Sequence, residues 1–329
     1  MLSQKSKELL TSSKNLLAFS AGVDSTALLF LLREHDITFD IAIVDYGLRE
    51  QSSQEIAYAQ ELAEKYGFEC FVKKAPKITA NFEAEARKIR YDFFEELIYS
   101  RKYENLLTAH HLGDRLEWML MQFCKGAGSV ELCGMREIEL REGYKLIRPL
   151  LQHDKEDLLA YLRTNSIQYF LDASNSDEKY TRNSFRKKYA EPLLQEYKNG
   201  IIKSFEYLET DSEMLIQKTD ILQKNALACF KKSSSRSNIY HIDKYLKSLG
   251  HIITKEERKL LREQKTAIIG RKYVITHVQD YICIAPFIKS EKFSKEFKEQ
   301  MRLLKIEPKL RGYLAEDAEA VAFLSLLLA

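Results

Sequence analysis

The sequence predicts an α/β protein: a doubly wound, mostly parallel sheet, followed by a helical linker and a small C-terminal α+β domain. Over residues 1–203, short apolar runs of strand length alternate with helical patterns, which is typical of a parallel sheet covered on both faces. Over residues 204–230 the alternation gives way to one long polar helical pattern. The chain has 329 residues, 45% of them hydrophobic, which is enough for two packed domains.

The expected strands of the first domain are short apolar runs, at residues 16–19, 39–44, 69–73 and 105–108. The expected helices carry apolar side chains at helical spacing or have helical length, at residues 26–32, 54–66, 82–99 and 114–123. Two of them stop at glycines, Gly67 and the glycine-rich stretch 125–128, as helices commonly do. This order of elements suits a doubly wound α/β domain over residues 1–203.

The remaining chain is expected to form a helical linker over residues 204–238 and a small domain over 239–329. Three apolar runs at 266–269, 274–278 and 281–284 are separated by short turns, which indicates a meander of strands. Basic residues in this part suggest an RNA-binding role for the small domain. The tail, residues 313–329, suits either a terminal helix or a poorly ordered end.

Bulk properties narrow the classes of function. The net charge is only +3, so affinity for nucleic acid has to come from local clusters of Lys and Arg. The five cysteines are scattered without a C-x-x-C pair, which favours reduced thiols in the cytoplasm and argues against a zinc or iron–sulfur site. We expect a cytoplasmic protein with no membrane association and no obligatory protein partner.

The turn between the first strand and the first helix has the composition of a phosphate-binding loop. It consists of Ser20, Ala21, Gly22, Val23, Asp24 and Ser25. Small residues let the backbone approach a phosphate, while hydroxyls and helix-start N–H groups donate to its oxygens. A carboxylate suits such a loop if Asp24 holds Mg²⁺ against the phosphates, so the loop predicts ATP with magnesium. The structural alternative is an ordinary strand-to-helix turn capped by Asp24 or Ser25.

This loop resembles the S-G-G-x-D-S signature of the PP-loop ATP pyrophosphatases, with Ala21 in place of the second glycine and expected to adopt a negative φ. Four further stretches resemble motifs of the tRNA(Ile)-lysidine synthetases: VDYGLR (44–49), EARKIRY (85–91), TAHHLGDRLE (108–117), and LDASN (171–175) followed by YTRN (180–183) and Arg186. The resemblance covers residues 16–190. Gly113, Arg115 and Trp118 depart from the residues that the family often has there, Asp, Gln and Thr.

The resemblance implies a ligase that forms a C–N bond. ATP adenylates the C2 oxygen of the wobble cytidine of tRNA(Ile) with a CAU anticodon, and the ε-amine of free L-lysine then displaces AMP, forming lysidine. Two alternatives stay open: another PP-loop enzyme that modifies tRNA or makes an amide, or a nucleotide-binding regulator that never turns ATP over. Unpaired cysteines and the lack of a glutaminase region argue against the first.

The resemblance and the residue chemistry together assign a task to each motif. Catalytic roles are expected for Asp24, Arg87 and Arg182; ATP binding, beyond the loop, for Asp45, Arg90 and His110; lysine binding for His111, Asp114 and Glu117; and tRNA binding for Arg186, Lys187 and Lys188. Arginines suit phosphate charge, and a carboxylate pair three residues apart on a helix suits an ammonium group. The structural alternatives are surface charge for the arginines, a helix cap at Asp114 completed by Glu117, and a strand-end turn at Asp45.

Overall fold

The computed structural model describes residues 1–47, 51–171, 181–289 and 292–328. The chain forms two compact units, Met1–Glu209 and Thr210–Ala329. Parts of two motifs lie outside the described residues: Leu48 and Arg49 of the VDYGLR motif, and positions 172–180, which belong to the LDASN and YTRN stretch.

The first unit is organised around a mostly parallel sheet. Its strands are β1 (Asn15–Ala18), β2 (Phe39–Asp45), β3 (Cys70–Lys74), β4 (Asn105–Leu107), β5 (Ile138–Arg141) and β6 (Tyr144–Ile147). Within the described residues the order is β3-β2-β1-β4-β6-β5, parallel except for the antiparallel β5–β6 pair at one edge. Because β1 lies between β2 and β4, the winding reverses at β1, and the carboxyl end of β1 is where such sheets bind ligands.

The helices of this unit are α1 (Gln4–Thr11), α2 (Val23–Glu34), α3 (Gln51–Tyr66), α4 (Phe82–Arg101), α5 (Leu112–Phe123), α6 (Ser129–Leu132), α7 (Lys155–Thr164), α8 (Thr181–Phe185) and α9 (Glu191–Leu215), with a π-helical segment, Arg186–Ala190, between α8 and α9. The sequence did not indicate α1, α7 or the β5–β6 hairpin. Each of these is short and mixed in polarity, and each depends on docking to the sheet for its stability.

Alternating side chains of β1 lead into two separate cores. Leu17 packs with Leu28 of α2 on one face, and Leu16 packs with Phe93 and Leu97 of α4 on the other. Both leucines are fully buried. Helices on both faces of a mostly parallel sheet confirm the predicted doubly wound fold.

The second unit is an antiparallel sheet with helices on both faces. Its elements are β7 (Leu222–Lys224), β8 (Leu227–Lys231), α10 (Ser235–Ser248), α11 (Lys255–Glu263), β9 (Thr266–Ile269), β10 (Tyr273–Val278), β11 (Tyr281–Pro286), α12 (Lys295–Leu303), α13 (Pro308–Glu316) and α14 (Ala318–Leu327). The strand order within the described residues is β7-β8-β11-β10-β9, so the predicted meander β9–β10–β11 is present. None of the described helices is both long enough and apolar enough to cross a bilayer.

The helix expected over residues 204–230 is wrong beyond Leu215. β7 and β8 occupy the second half of that stretch and pair into the sheet of the second unit. The side chains of β8 from Leu227 to Phe230 are buried, so this apolar run is stabilised as a strand by tertiary packing. The tail is ordered as α13 and α14, whose Leu314 and Leu324 are buried in the same core cluster.

Candidate active site

The phosphate-loop residues join β1 to α2 at the carboxyl end of the sheet. Ser20 and Ser25 place their hydroxyl oxygens 3.1 Å apart, and the Ser25 hydroxyl also accepts from the N–H of Ser20 at 3.2 Å. Gly22 precedes the first turn of α2, and the described residues give that helix start no side-chain cap. The N–H groups of the first turn therefore remain available to an anion, which the helix dipole favours at this end.

Ala21 departs from its expected backbone geometry. Its φ is +56°, so the predicted negative φ is wrong and the loop keeps the left-handed turn that glycine would favour. Such a conformation costs a non-glycine residue about 1–2 kcal/mol. The Ala21 carbonyl accepts the N–H of Phe170 at 2.9 Å and its methyl group is fully buried, so the surrounding structure holds the turn in place.

Asp24 points one carboxylate oxygen into a buried position. Among the described residues its Oδ1 has no hydrogen-bond partner, and its Oδ2 lies 3.9 Å from Nε2 of His111. Burial raises the pKa of Asp24, while the neighbouring His111 lowers it. A buried carboxylate oxygen without a partner, beside a phosphate loop, fits Mg²⁺, which is usually held by one or two carboxylates together with phosphate oxygens.

Asp114 and Glu117 lie on one face of α5 and are buried, with 9% and 1% of their surface exposed. The helix begins at Leu112, with His111 as its capping residue, so the alternative that Asp114 is the cap is wrong. Asp114 is the third helical residue, and its Oδ2 accepts the N–H of His111 at 3.1 Å. Capping and the carboxylate pair are therefore combined in one turn.

Two arginines from a segment some 65 residues away neutralise this pair. Arg182 donates from Nε to Glu117 and from Nη2 to Asp114 at 3.1 Å. Arg186 donates from Nε to Glu117 at 3.0 Å and from Nη2 to Asp114 at 3.3 Å. Each guanidinium thus bridges both carboxylates through charge-assisted hydrogen bonds, which are stronger than neutral ones.

The environment acts differently on the two acids. Burial opposes ionisation of Asp114, but the charges of His111, His110 and Arg182 and the backbone N–H of His111 hold its pKa well below the ordinary value. Burial raises the pKa of Glu117 against the lowering effect of the two arginines. Glu117 is therefore the more easily protonated of the two acids.

His111 is held by its neighbour Gly113. The N–H of Gly113 donates to Nδ1 of His111 at 3.0 Å, so in the neutral ring the proton lies on Nε2. That nitrogen is 3.9 Å from Asp24 and 3.7 Å from Asp114. A Cβ atom at position 113 would lie 2.7 Å from Cε1 of His111, so the ring fits where it does because residue 113 is glycine.

The departure at Arg115 has a structural explanation. Arg115 is 5% exposed, and its Nη2 donates to Glu209 at 2.6 Å and to the carbonyl of Cys133 at 3.3 Å. Its guanidinium carbon also lies 4.1 Å from the centre of the Phe205 ring. Arg115 therefore attaches α5 to α9. Trp118 is 44% exposed, and nothing in the structure explains its departure.

His110 lies beyond the end of β4, and its Nδ1 is 2.9 Å from the hydroxyl of Thr108. Burial lowers its pKa to about 4, and the charges of Arg148, Arg182 and Arg87 act in the same direction against that of Asp114. His110 is therefore neutral at physiological pH. The sequence did not single out Arg148, a buried residue just after β6, because strand pairing alone brings it near His110.

The remaining predicted residues lie on β2, α4 and the π-helical segment, and the charge of Arg87 reaches His110. Asp45 accepts the N–H of Gly47 at 2.8 Å in a strand-end turn. Arg87 and Arg90 are exposed on α4, the first with its guanidinium 4.7 Å from the Tyr91 ring centre. Two lysines follow Arg186 on the π-helical segment, Lys187 half-buried and Lys188 exposed. The ligand-binding roles of all these residues stay predictions.

Comparison with known proteins places the chain in a family. Residues 1–193 match the PP-loop domain. The tRNA(Ile)-lysidine synthase of Helicobacter pylori is 42% identical over 311 residues, covering 93% of this chain and 91% of that protein. The synthase of Wolinella succinogenes is 43% identical over 309 residues, covering 93% and 94%. That of Campylobacter jejuni is 38% identical over 317 residues, covering 96% and 97%.

One solved structure of similar fold is the U34-tRNA thiolase of Methanococcus maripaludis with its [4Fe-4S] cluster. The alignment covers 61% of this chain and 74% of the thiolase chain, with a TM-score of 0.50 and 20% sequence identity. At this identity the similarity is one of fold alone. The sequence relatives are closer in identity and in length. With a PP-loop domain over more than half its residues and relatives about 40% identical over more than nine-tenths of its length, the chain belongs to the tRNA(Ile)-lysidine synthase family of PP-loop proteins.

Proposed function

We propose that this protein ligates lysine to C2 of the wobble cytidine of tRNA(Ile) with a CAU anticodon, consuming ATP and releasing pyrophosphate and AMP. One observation carries the proposal. His111 has Asp24 of the phosphate loop and Asp114 of the carboxylate pair within 4 Å of the same ring nitrogen. This geometry supports placing the phosphate site beside the amine site, as a reaction that joins an amine to a phosphate-activated carbon requires.

In the activation step, the C2 oxygen of the cytidine attacks the α-phosphate of ATP and pyrophosphate leaves. The Ser20 and Ser25 hydroxyls and the N–H groups at the start of α2 suit the phosphate oxygens. Asp24 would hold Mg²⁺, which supplies charge neutralisation for the leaving pyrophosphate. We assign Asp45 and His110 to the nucleotide, with His110 as a neutral hydrogen-bonding group.

In the ligation step, the ε-amine of lysine attacks C2, the adenylate oxygen leaves with AMP, and the proton that the amine loses passes to Glu117, the more easily protonated of the two acids. Asp114 and Glu117 suit the ammonium of the incoming lysine, and His111 orients Asp114 from the opposite side. Arg87 and Arg90 are assigned to the phosphates, and Arg182, which donates to both carboxylates, holds the pair in place. Arg186, Lys187 and Lys188, together with the second unit, are assigned to the RNA backbone.

The proposal is tested by lysine transfer. Purified protein with ATP, Mg²⁺ and unmodified tRNA(Ile) of CAU anticodon is expected to attach radiolabelled lysine to the RNA and to release AMP. The same tRNA with a CAU-to-GAU change in the anticodon is the matched substrate control, because it has no cytidine at the wobble position. A well-folded preparation that transfers no lysine to either RNA rules out the proposed reaction.

Two isosteric variants test the phosphate site and the amine site separately. Asp24→Asn removes the charge proposed to hold magnesium and is expected to abolish AMP formation while the fold is retained. Glu117→Gln weakens the amine site and is expected to raise the KM for lysine more than the KM for ATP. Equal effects of Glu117→Gln on both substrates would contradict the assignment of this carboxylate to lysine.

A further inference from the structure

The site proposed for the lysine amine already contains two cations. Asp114 and Glu117 carry the negative charges, and Arg182 and Arg186 each donate to both carboxylates. Both acids are buried, whereas Arg182 and Arg186 keep 38% and 21% of their side-chain surface exposed, so the negative charges are matched mainly by the two guanidinium groups. In this arrangement the pair has no negative charge left to attract an ammonium group.

Adding an ammonium to this cluster would leave a surplus positive charge in a buried place. An unmatched buried charge costs several kcal/mol even after relaxation, which is comparable to the whole affinity of a small metabolite. Lysine binding to the carboxylates therefore requires that one guanidinium leave them. The arginine that leaves then needs another anion to pair with. Without one, its own positive charge would be left unmatched.

Arg186 is the arginine better placed to leave. Its hydrogen bond to Oδ1 of Asp114, at 3.3 Å, is longer than the one that Arg182 makes to the same oxygen, at 3.1 Å, and the two arginines take different oxygens of Glu117. It begins the π-helical segment Arg186–Ala190, between the short helix α8 and the long helix α9. π-helical turns are rare and often occur at functional sites, so this turn is the place where a local change would move Arg186 outward.

The surroundings of Arg186 favour the binding of a phosphate group, which would serve as the new partner of its guanidinium. The charge of Arg186 already acts on Asp24, which lies in the phosphate loop. Two lysines, Lys187 and Lys188, follow it on the same segment and give that surface a positive charge. A polyphosphate at the loop, or an RNA phosphate on the segment, would attract the Arg186 guanidinium as it leaves the carboxylates.

We propose that Arg186 is an internal counter-cation of the amine site, which it vacates when a phosphate-bearing ligand binds beside it, so that lysine binding is coupled to phosphate binding. The identity of the amine rests on the proposed function. The coupling is reciprocal, so lysine strengthens the binding of the phosphate ligand by the same factor. Free lysine is thereby kept out of the site until a phosphate-bearing substrate is bound.

Calorimetry measures the coupling directly. Lysine is titrated into the full chain alone, with Mg²⁺ and a non-hydrolysable ATP analogue, with inorganic tripolyphosphate, and with an unmodified CAU anticodon stem-loop RNA. The expected result is a lysine Kd that falls about 5- to 150-fold in at least one phosphate arm. The arm that produces the fall identifies nucleotide or RNA as the source of the phosphate. The same Kd in every arm overturns the coupling.

The variant Arg186→Gln separates the proposal from its main alternative, in which Arg186 binds the carboxylate end of lysine, because the two predict opposite changes in lysine affinity. If Arg186 competes with lysine, removing its charge is expected to tighten lysine binding about tenfold without any phosphate and to reduce the coupling. If Arg186 instead binds the carboxylate end of the amino acid, the variant weakens lysine binding in every arm, which overturns the proposal. Thermal unfolding checks that the variant is folded, and if it is not, the wild-type arms alone decide.

Lys203→Gln is the matched control. It removes one positive charge from the neighbouring helix α9, at an exposed position to which no binding role is assigned. Lysine affinity without phosphate is expected to be unchanged, and a tightening equal to that of Arg186→Gln would assign the effect to bulk charge and overturn the proposal. Absence of lysine binding in every arm contradicts the proposed function as well, whereas binding with a constant Kd contradicts the coupling alone.

Discussion

Replacing Gly113 by alanine tests how far the site depends on the position of the His111 ring. An added Cβ would lie 2.7 Å from Cε1 and 3.0 Å from Nδ1 of that ring, closer than atoms in contact normally approach. His111 is 6% exposed, so the ring has little free space in which to retreat. We expect the ring to turn, breaking the hydrogen bond from the Gly113 N–H and moving Nε2 away from Asp24 and Asp114.

The size of the effect follows from three contributions. Overpacking a buried site costs about 1–3 kcal/mol, loss of one hydrogen bond about 1 kcal/mol, and the better helix propensity of alanine returns about 1 kcal/mol. The free energy of unfolding is therefore expected to fall by about 1–3 kcal/mol. If the same energy is lost from the transition state, kcat/KM for lysine transfer falls by about 5- to 150-fold.

Urea unfolding and the lysine-transfer assay measure the two effects. Gly200→Ala is the matched control, because nothing lies within 4 Å of a Cβ at that position of α9, and it is expected to stabilise the chain by about 0.5–1 kcal/mol with full activity. In a His111→Ala background the ring is gone, so Gly113→Ala should become neutral or stabilising. A cost that persists without His111 would refute the steric argument.

Two further predictions concern neighbouring residues. The free energy of unfolding should rise as the pH increases from about 4 to 6.5. Folded His110, with a pKa of about 4, releases its proton more readily than the same histidine in the unfolded chain. The unfolded state therefore binds more protons over this range, and raising the pH favours the folded state. Urea unfolding of the chain and of His110→Asn checks this, and an equal slope with pH in both would contradict it. Ala21→Gly should change the free energy of unfolding by less than about 1 kcal/mol, because relief of the left-handed strain offsets the lost methyl group. The control Ala59→Gly, at an equally buried position of α3, should cost about 2 kcal/mol. Similar losses at both positions would show that Ala21 is unstrained.

Much of the first unit could be predicted because its pattern is local. The strand β1, the small residues of the phosphate loop and the start of α2 are contiguous, and their apolar spacing reports directly which faces are buried. The carboxylate pair was found for the same reason, since Asp114 and Glu117 are one helical turn apart. The hairpin β5–β6 and the strands β7 and β8 were not, because short strands take their stability from partners distant in sequence.

The sequence by itself determined the fold class, the phosphate loop, the face that carries the two acids and the family. Only the tertiary structure decided which charges meet. Arg182 and Arg186 were expected at phosphates, yet they lie on the two carboxylates, because folding brings a segment some 65 residues away against α5, and buried acids take the nearest available cations. The left-handed φ of Ala21 has the same origin: a hydrogen bond from Phe170, distant in the chain, sets that backbone against the preference of the residue. Local patterns record burial and helix or strand preference, whereas the pairing of charges and the strain of a turn depend on distances that exist only in the folded chain.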